Sequence, residues 1–242
     1  MKHVDDYLAQ QMVSKRADSQ VGKALTPRTK QYHRAILRRA LNVGIKWGWV
    51  SQNVVRATDA VAQVKRELPA LSIADSESLM EAPKADTLAD LYLVGLWTGL
   101  RVGEVAGIKW EDLDLDAGRR QVRRQVQRIE GVLQLVEPKT QASKAAIDLQ
   151  PDVIEMFQRR AAAAINREWL VFVTKSGRPY DPVYITHRLQ AALRKAGREP
   201  IPFHHLRHYF FSFLPQLGVH PAVAQRLARH ASITTTKNVY TG

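Results

Sequence analysis

Arg101, Lys139, His204, Arg207, His230 and Tyr240 are the side chains of this sequence whose types could together attack a phosphate. A phenol has an ordinary pKa of about 10, so Tyr240 needs help to act as a nucleophile at neutral pH. Cations nearby lower the cost of forming the phenolate. Two guanidiniums carry fixed forks of N–H donors, which answer the charge collecting on non-bridging phosphoryl oxygens better than ammonium groups do. Converged on one phosphate, the six could break a phosphodiester without a metal ion. The chain has no cysteine, which removes thiolate nucleophiles, thiolate metal sites and disulfides from the options.

Taken singly, each residue has a plainer reading. Arg101 stands three before Glu104 and could be an ordinary salt-bridging arginine. Lys139, after Pro138, could be a solvated lysine of a turn. His204 and Arg207 are three apart, share a helical face and can reach one anion. His204 and His208 also have the i,i+4 spacing of a zinc pair, but no glutamate lies between them and no third ligand follows, so no metal is expected. A packed or capping histidine pair remains an alternative. Tyr240 ends a threonine-rich segment, Thr234-Thr235-Thr236, and by itself is only a tyrosine.

Several elements must bring these residues together. Thr26 and Pro27 form a good helix start, an N-cap followed by a proline whose missing N–H costs nothing in the first turn. Tyr32, Ile36, Leu37, Ala40, Leu41 and Ile45 follow at helical spacing and predict a packed face, with Arg28, Lys30, Arg34, Arg38 and Arg39 as a basic face suited to a phosphate backbone. Residues 1–16 could add a short helix. Glu67–Leu71 reads as a linker, and Ser72, with Asp75 three residues on, caps a helical pattern that runs to Gly107. Strand character covers Gln121–Ile129 and Val132–Val136, with Glu130-Gly131 as the hairpin turn, and a third strand is expected over Ala146–Leu149. Pro151 starts a further helix, and Pro182–Tyr240 reads as short helices punctuated by glycine and proline. The predicted fold is mainly α with one small antiparallel β-sheet (α+β), divided into a helical domain over 1–66, a linker over 67–74 and a second domain over 75–242.

The formal net charge of the 242 residues is +13, and residues 1–70 hold 13 Lys and Arg against 5 Asp and Glu. A basic lobe on a nearly balanced one points to a polyanion as partner. No apolar run approaches the ~20 residues that span a bilayer, and no signal peptide is evident at the N-terminus.

The ordered series resembles the tyrosine recombinase (phage integrase) family from about Leu25 onward. Thr98-Gly99-Leu100-Arg101-Val102-Gly103-Glu104 is similar to that family's first arginine box, and Glu137-Pro138-Lys139-Thr140 to its sheet lysine. Phe203-His204-His205-Leu206-Arg207-His208 resembles its His-x-x-Arg box, and His230 with Tyr240 its closing histidine and nucleophile. Arg28–Trp49 resembles the end of its core-binding domain. The resemblance implies a site-specific recombinase that cleaves and rejoins DNA through a 3′-phosphotyrosyl intermediate, without metal, ATP or other cofactor. Lys139 is then the general acid for the departing 5′ oxygen, while His204 and His230 donate hydrogen bonds or shuttle a proton. The implied partners are double-stranded DNA attachment sites, a homo-tetramer on DNA and host DNA-bending or directionality factors, in the cytoplasm of a prokaryotic host.

Some features depart from the family pattern. The helical domain is short, and the family's usual final docking segment is not found after Tyr240. His205 stands where Asp is usual, Tyr209 where Thr is usual, Phe211 where Ala is usual and Arg229 where Gly is usual. The added bulk of Tyr209 and Phe211 predicts overpacking worth about 1–3 kcal/mol. The competing functions are a catalytically silent or truncated integrase-derived DNA-binding protein, and a type IB topoisomerase-like enzyme that relaxes DNA without synapsis.

Overall fold

The computed structural model describes residues 6–7, 25–58, 73–138, 146–164 and 166–228. The chain divides into two compact units, Met1–Leu68 and Pro69–Gly242.

In the first unit, helix α1 (Pro27–Lys46) starts as its sequence dictates. The Thr26 hydroxyl accepts from the Thr29 N–H at 3.2 Å, and Pro27 sits in the first turn. The helix packs on a 3-10 turn, Val54–Ala57, through polar ties rather than through the expected apolar face. Asn53 donates to the Arg38 carbonyl at 2.8 Å and to Asn42 Oδ1 at 2.7 Å, and its own Oδ1 receives the Val55 N–H at 3.1 Å. Tyr32, Ile36, Ala40 and Ile45 are exposed, and of the six apolar positions only Leu37 and Leu41 are half-buried. The apolar periodicity was right about the helix and only partly right about its inward side, where Leu37 and Leu41 are joined by Arg34 and Gly44.

The second unit is built around helix α3 (Ala89–Thr98). Its residues Leu91, Tyr92, Val94 and Leu96 are all fully buried, as expected for a helix surrounded by others. Helix α2 (Ile73–Glu81) precedes it, and helix α4 (Val102–Ala106) follows after Gly99, whose φ of 60° breaks the helical run expected to reach Gly107. Helices α5 (Pro151–Ala163), α6 (Pro182–Lys195), α7 (His204–Gln216) and α8 (Pro221–Ala228) complete the helical part. Among the described residues no helix is long and apolar enough to cross a membrane.

Two small antiparallel sheets replace the single one expected. Strands β1 (Leu113–Asp114), β2 (Arg119–Gln121) and β5 (Ala146–Asp148) pair in the order β1-β2-β5. Strands β3 (Gln125–Ile129) and β4 (Val132–Val136) form a separate hairpin with Ile129 opposite Val132. Glu130 at φ 49° and Gly131 at φ 83° give the two left-handed residues a tight hairpin requires. The predicted strand over 121–129 is therefore interrupted: residues 122–124 leave one sheet before the next begins, carrying buried Val122 into the core.

Helix α4 lies directly on β3. A Cβ on Gly103 would stand 2.5 Å from the Val126 carbonyl oxygen, and one on Gly107 3.0 Å from Gln125 Cα. From β2, the fully buried Arg120 donates to the Glu104 carbonyl at 2.9 Å. Helix α7 is held against α3 in a similar way, since a Cβ on Gly95 would fall 2.4 Å from the Phe203 ring.

Candidate active site

Arg101 occupies the N-cap of α4, in extended backbone immediately after the Gly99-Leu100 turn. Its partner is Glu104, whose side chain is 1% exposed while that of Arg101 is 46% exposed. One carboxylate oxygen receives Arg101 Nη1 at 2.8 Å and the other receives the Arg101 backbone N–H at 2.9 Å. The plain reading of a salt bridge with Glu104 therefore holds, and it also leaves the arginine aimed and half open to solvent.

Arg207 reaches the same turn from α7, 108 residues later in the chain. Its Nη1 donates to the Gly99 carbonyl, two residues before Arg101. The residue is 8% exposed, and its Cζ lies 4.8 Å from the centroid of the Phe211 ring. A buried guanidinium needs acceptors and a polarisable neighbour to offset lost hydration, and it has both. The turn it grips is rigid: a Cβ on Gly99 would meet Phe210 Cδ1 at 2.5 Å.

His204, the first residue of α7, is exposed and lies one turn before Arg207 on the same helical face. Its ring centroid is 4.7 Å from that of His205 and 5.7 Å from that of His208. Burial, with His204 and His208 nearby, pushes the His205 imidazole down to about 4, so it is neutral at physiological pH. Burial, His204 and Arg207 lower His208 as well. Nδ1 of His205 is buried without a hydrogen-bond partner. Among the described residues no group of three or more His, Asp and Glu is placed to hold a metal ion.

Tyr209 and Phe211, the two residues expected to add bulk, are both buried in apolar clusters. Tyr209 fits into the main core, where burial raises its phenol pKa. Phe211 forms a second cluster with Leu214 and Ala224, flanked by Phe210, Val219 and Leu227, which joins α7 to α8.

Of the six sequence-derived candidates, three are thus described, and the Gly99–Leu100 turn brings Arg101 and Arg207 to one place. Lys139, His230 and Tyr240 lie outside the described residues, as does Arg229; the last residue described before Lys139 is Pro138, just beyond β4. In the first unit, Arg28 is exposed on a face of α1 shared with Tyr32, Ile36, Arg39 and Lys46. Arg38 is exposed on a flank and Lys30 is half-buried. Arg34 turns inward: Nε donates to Thr58 Oγ1 at 2.9 Å, and Nη2 to the carbonyls of Val55 at 3.2 Å and Thr58 at 2.6 Å. Its place on the basic face is taken by Arg39. Residues 25–58 contain seven Lys and Arg and no acidic residue. Sequence reasoning missed the Gly99 carbonyl and the Phe211 ring as supports of Arg207. The glycine that ends α3 was the signal for the first, and the i,i+4 spacing of Arg207 and Phe211 for the second.

The chain is similar to several curated proteins. It is 25% identical to the tyrosine recombinase XerC-like protein of Caldanaerobacter subterraneus subsp. tengcongensis, over 85% of this chain and 60% of that protein. It is 29% identical to tyrosine recombinase XerC of Thermodesulfovibrio yellowstonii, over 80% and 64% respectively. It is 25% identical to prophage integrase IntR of Escherichia coli K12, over 90% and 58%. The chain thus spans roughly three-fifths of the length of these relatives. Among solved structures, the Tn1549 transposon integrase in complex with transposon right-end DNA superposes with a TM-score of 0.81 at 23% identity, covering 99% of this chain and 87% of that one. A lambda integrase dimer bound to a COC′ core site gives a TM-score of 0.63 at 20% identity, covering 88% and 59%. At these identities the structural likeness is one of fold. The phage integrase family model matches residues 70–242, most of the sequence, and the chain belongs to that family.

Proposed function

We propose that the chain is a site-specific DNA recombinase in which the Tyr240 phenol oxygen attacks a phosphodiester. A 3′-phosphotyrosyl bond forms, and the bond to the 5′ oxygen breaks. The leaving oxygen takes a proton from Lys139, and the phenol proton passes to a histidine, His230 or His204. Arg101 and Arg207 hold the non-bridging oxygens as charge accumulates on them. A 5′-hydroxyl of a second strand reverses these steps and reseals the backbone, so no ATP is needed. The reading assigns DNA binding to residues 1–66, with Arg28, Lys30 and Arg38 as phosphate contacts and Arg34 bracing the helix that carries them. Catalysis is assigned to residues 75–242. Its partners are duplex attachment sites, further copies of the chain as a tetramer, and host bending or directionality factors.

The observation that carries the reading is the hydrogen bond from Arg207 to the Gly99 carbonyl, which joins two distant arginines at one turn. The test is incubation with cognate duplexes nicked near the scissile phosphate, followed by denaturation. A protein–DNA adduct formed by the wild type and lost in Tyr240→Phe supports the reading. Sequence-specific binding without any adduct establishes a silent DNA-binding protein instead, and plasmid relaxation without recombinants establishes a topoisomerase-like enzyme.

A further inference from the structure

The outward face of helix α1 has a charged residue at each end and none in its middle. Tyr32 is 66% exposed and Ile36 50%, one turn apart on the same side of the helix. Gln31 and Ala35 are exposed beside them. Arg28 stands one turn before Tyr32 and Arg39 one turn after Ala35, both exposed. Eleven residues of helix separate the two arginines by about 16 Å along the axis. No acidic residue lies in residues 25–58 to repel a polyanion. Phosphate binding alone does not account for this pattern, because a phosphate rim is better served by cations than by a tyrosine, an alanine and an isoleucine. The major groove of duplex DNA supplies a partner for both parts of the face. It is about 12 Å wide, admits an α-helix between its two phosphate rims, and presents one apolar group at the base edges, the thymine methyl. The end arginines reach the rims while the uncharged middle meets the bases.

We propose that α1 lies in the major groove and that Ile36, flanked by Tyr32, is a specificity-determining residue that reads a thymine methyl in the attachment site. This role rests on the DNA-binding reading of the first unit and goes beyond it, since it assigns selection of a base rather than contact with phosphates. Closing Ile36 on the methyl removes water from both, and a cytosine or a purine at that place offers no such group. Half of the Ile36 side chain already faces solvent, so exchanging it leaves the fold intact.

The experiment selects duplexes with the full chain from a pool of randomised sequence. Each A·T pair of the recovered consensus is then replaced in turn by A·U, which removes the methyl and nothing else. At the pair read by Ile36, uracil weakens binding to the wild type by about fourfold, the worth of one buried methyl. Ile36→Ala binds the thymine duplex less tightly than the wild type and no longer tells thymine from uracil at that pair. Its melting temperature and the salt dependence of its binding stay those of the wild type, because no phosphate contact has changed. A wild type indifferent to uracil at every A·T pair overturns the role, and so does an Ile36→Ala chain that keeps the full preference for thymine. Either result leaves the recombinase reading standing. A wild type that recovers no consensus at all overturns the site-specific reading, and this role with it.

Discussion

Replacing Glu104 with glutamine tests whether the aim of Arg101 depends on a buried charge. The wild-type carboxylate accepts two hydrogen bonds from Arg101, at 2.8 and 2.9 Å, from a site 1% exposed. Glutamine has the same shape but only one accepting oxygen, and its NH2 must face one of the two donors. One bond is therefore lost and a donor is stranded in a dry site, which costs about 1–3 kcal/mol. The lost charge adds little, because Arg101 is half exposed and the ion pair is screened by water. A total near 2–3 kcal/mol corresponds to a fall in Tm of roughly 5–10 °C for a unit of this size. If Arg101 holds the phosphate as proposed, losing one bond lets it sample orientations that miss it, and covalent adduct formation slows by about tenfold to a hundredfold. Thermal melting and the nicked-duplex assay read the two effects separately. Glu111→Gln, in a carboxylate 54% exposed, serves as the control and should change neither. A Glu104→Gln protein that melts within about 2 °C of the wild type and forms adduct within about twofold of its rate would refute the reasoning.

Three other perturbations have definite outcomes. Gly99→Ala places a Cβ 2.5 Å from Phe210 in backbone with φ 60°; the strain and clash together cost about 2–4 kcal/mol, measured by urea denaturation. Arg34→Ala removes three hydrogen bonds and lowers the stability of the first unit by about 2–3 kcal/mol. Arg28→Ala should leave stability unchanged and reduce the salt dependence of duplex binding by about one counterion. The His205 pKa lies near 4, below the 6.5 of an unfolded histidine. The unfolded chain therefore binds the extra proton first: this contribution is fully present above about pH 6.5 and is lost as pH falls toward 4. Urea midpoints between pH 7 and 4.5 should fall less steeply in His205→Asn than in the wild type, and parallel curves would count against the assignment.

Local chemistry was the legible part of the sequence. Thr26-Pro27 starts α1 and Pro151 starts α5, because capping depends on residues within one turn. Gly131 reverses β3 into β4 at φ 83° because glycine takes positive φ without a steric cost. Local pattern failed where tertiary contacts chose between alternatives. The place of Arg34 on α1 was misjudged because it found acceptors in Val55 and Thr58, 21 and 24 residues away. The division into two sheets was hidden because β2 pairs with β5, beyond the hairpin, rather than continuing into β3. At the candidate site, the types and order of Arg101, His204 and Arg207 were visible. Their supports were not, since a backbone carbonyl has no letter in a sequence and a phenylalanine does not announce which cation it lies beneath.

The contact of α4 with β3 through Gly103 and Gly107 has a mechanical consequence. Side chains are the compliant layer between packed elements, because their rotamers can yield before the backbones do. Here that layer is missing, and helix meets strand backbone to backbone. A displacement of the β3–β4 hairpin is therefore transmitted to α4 almost undamped, and Arg101 sits at the first turn of that helix. The hairpin acts as a lever with a stiff fulcrum, so a load on its tip is felt at the arginine.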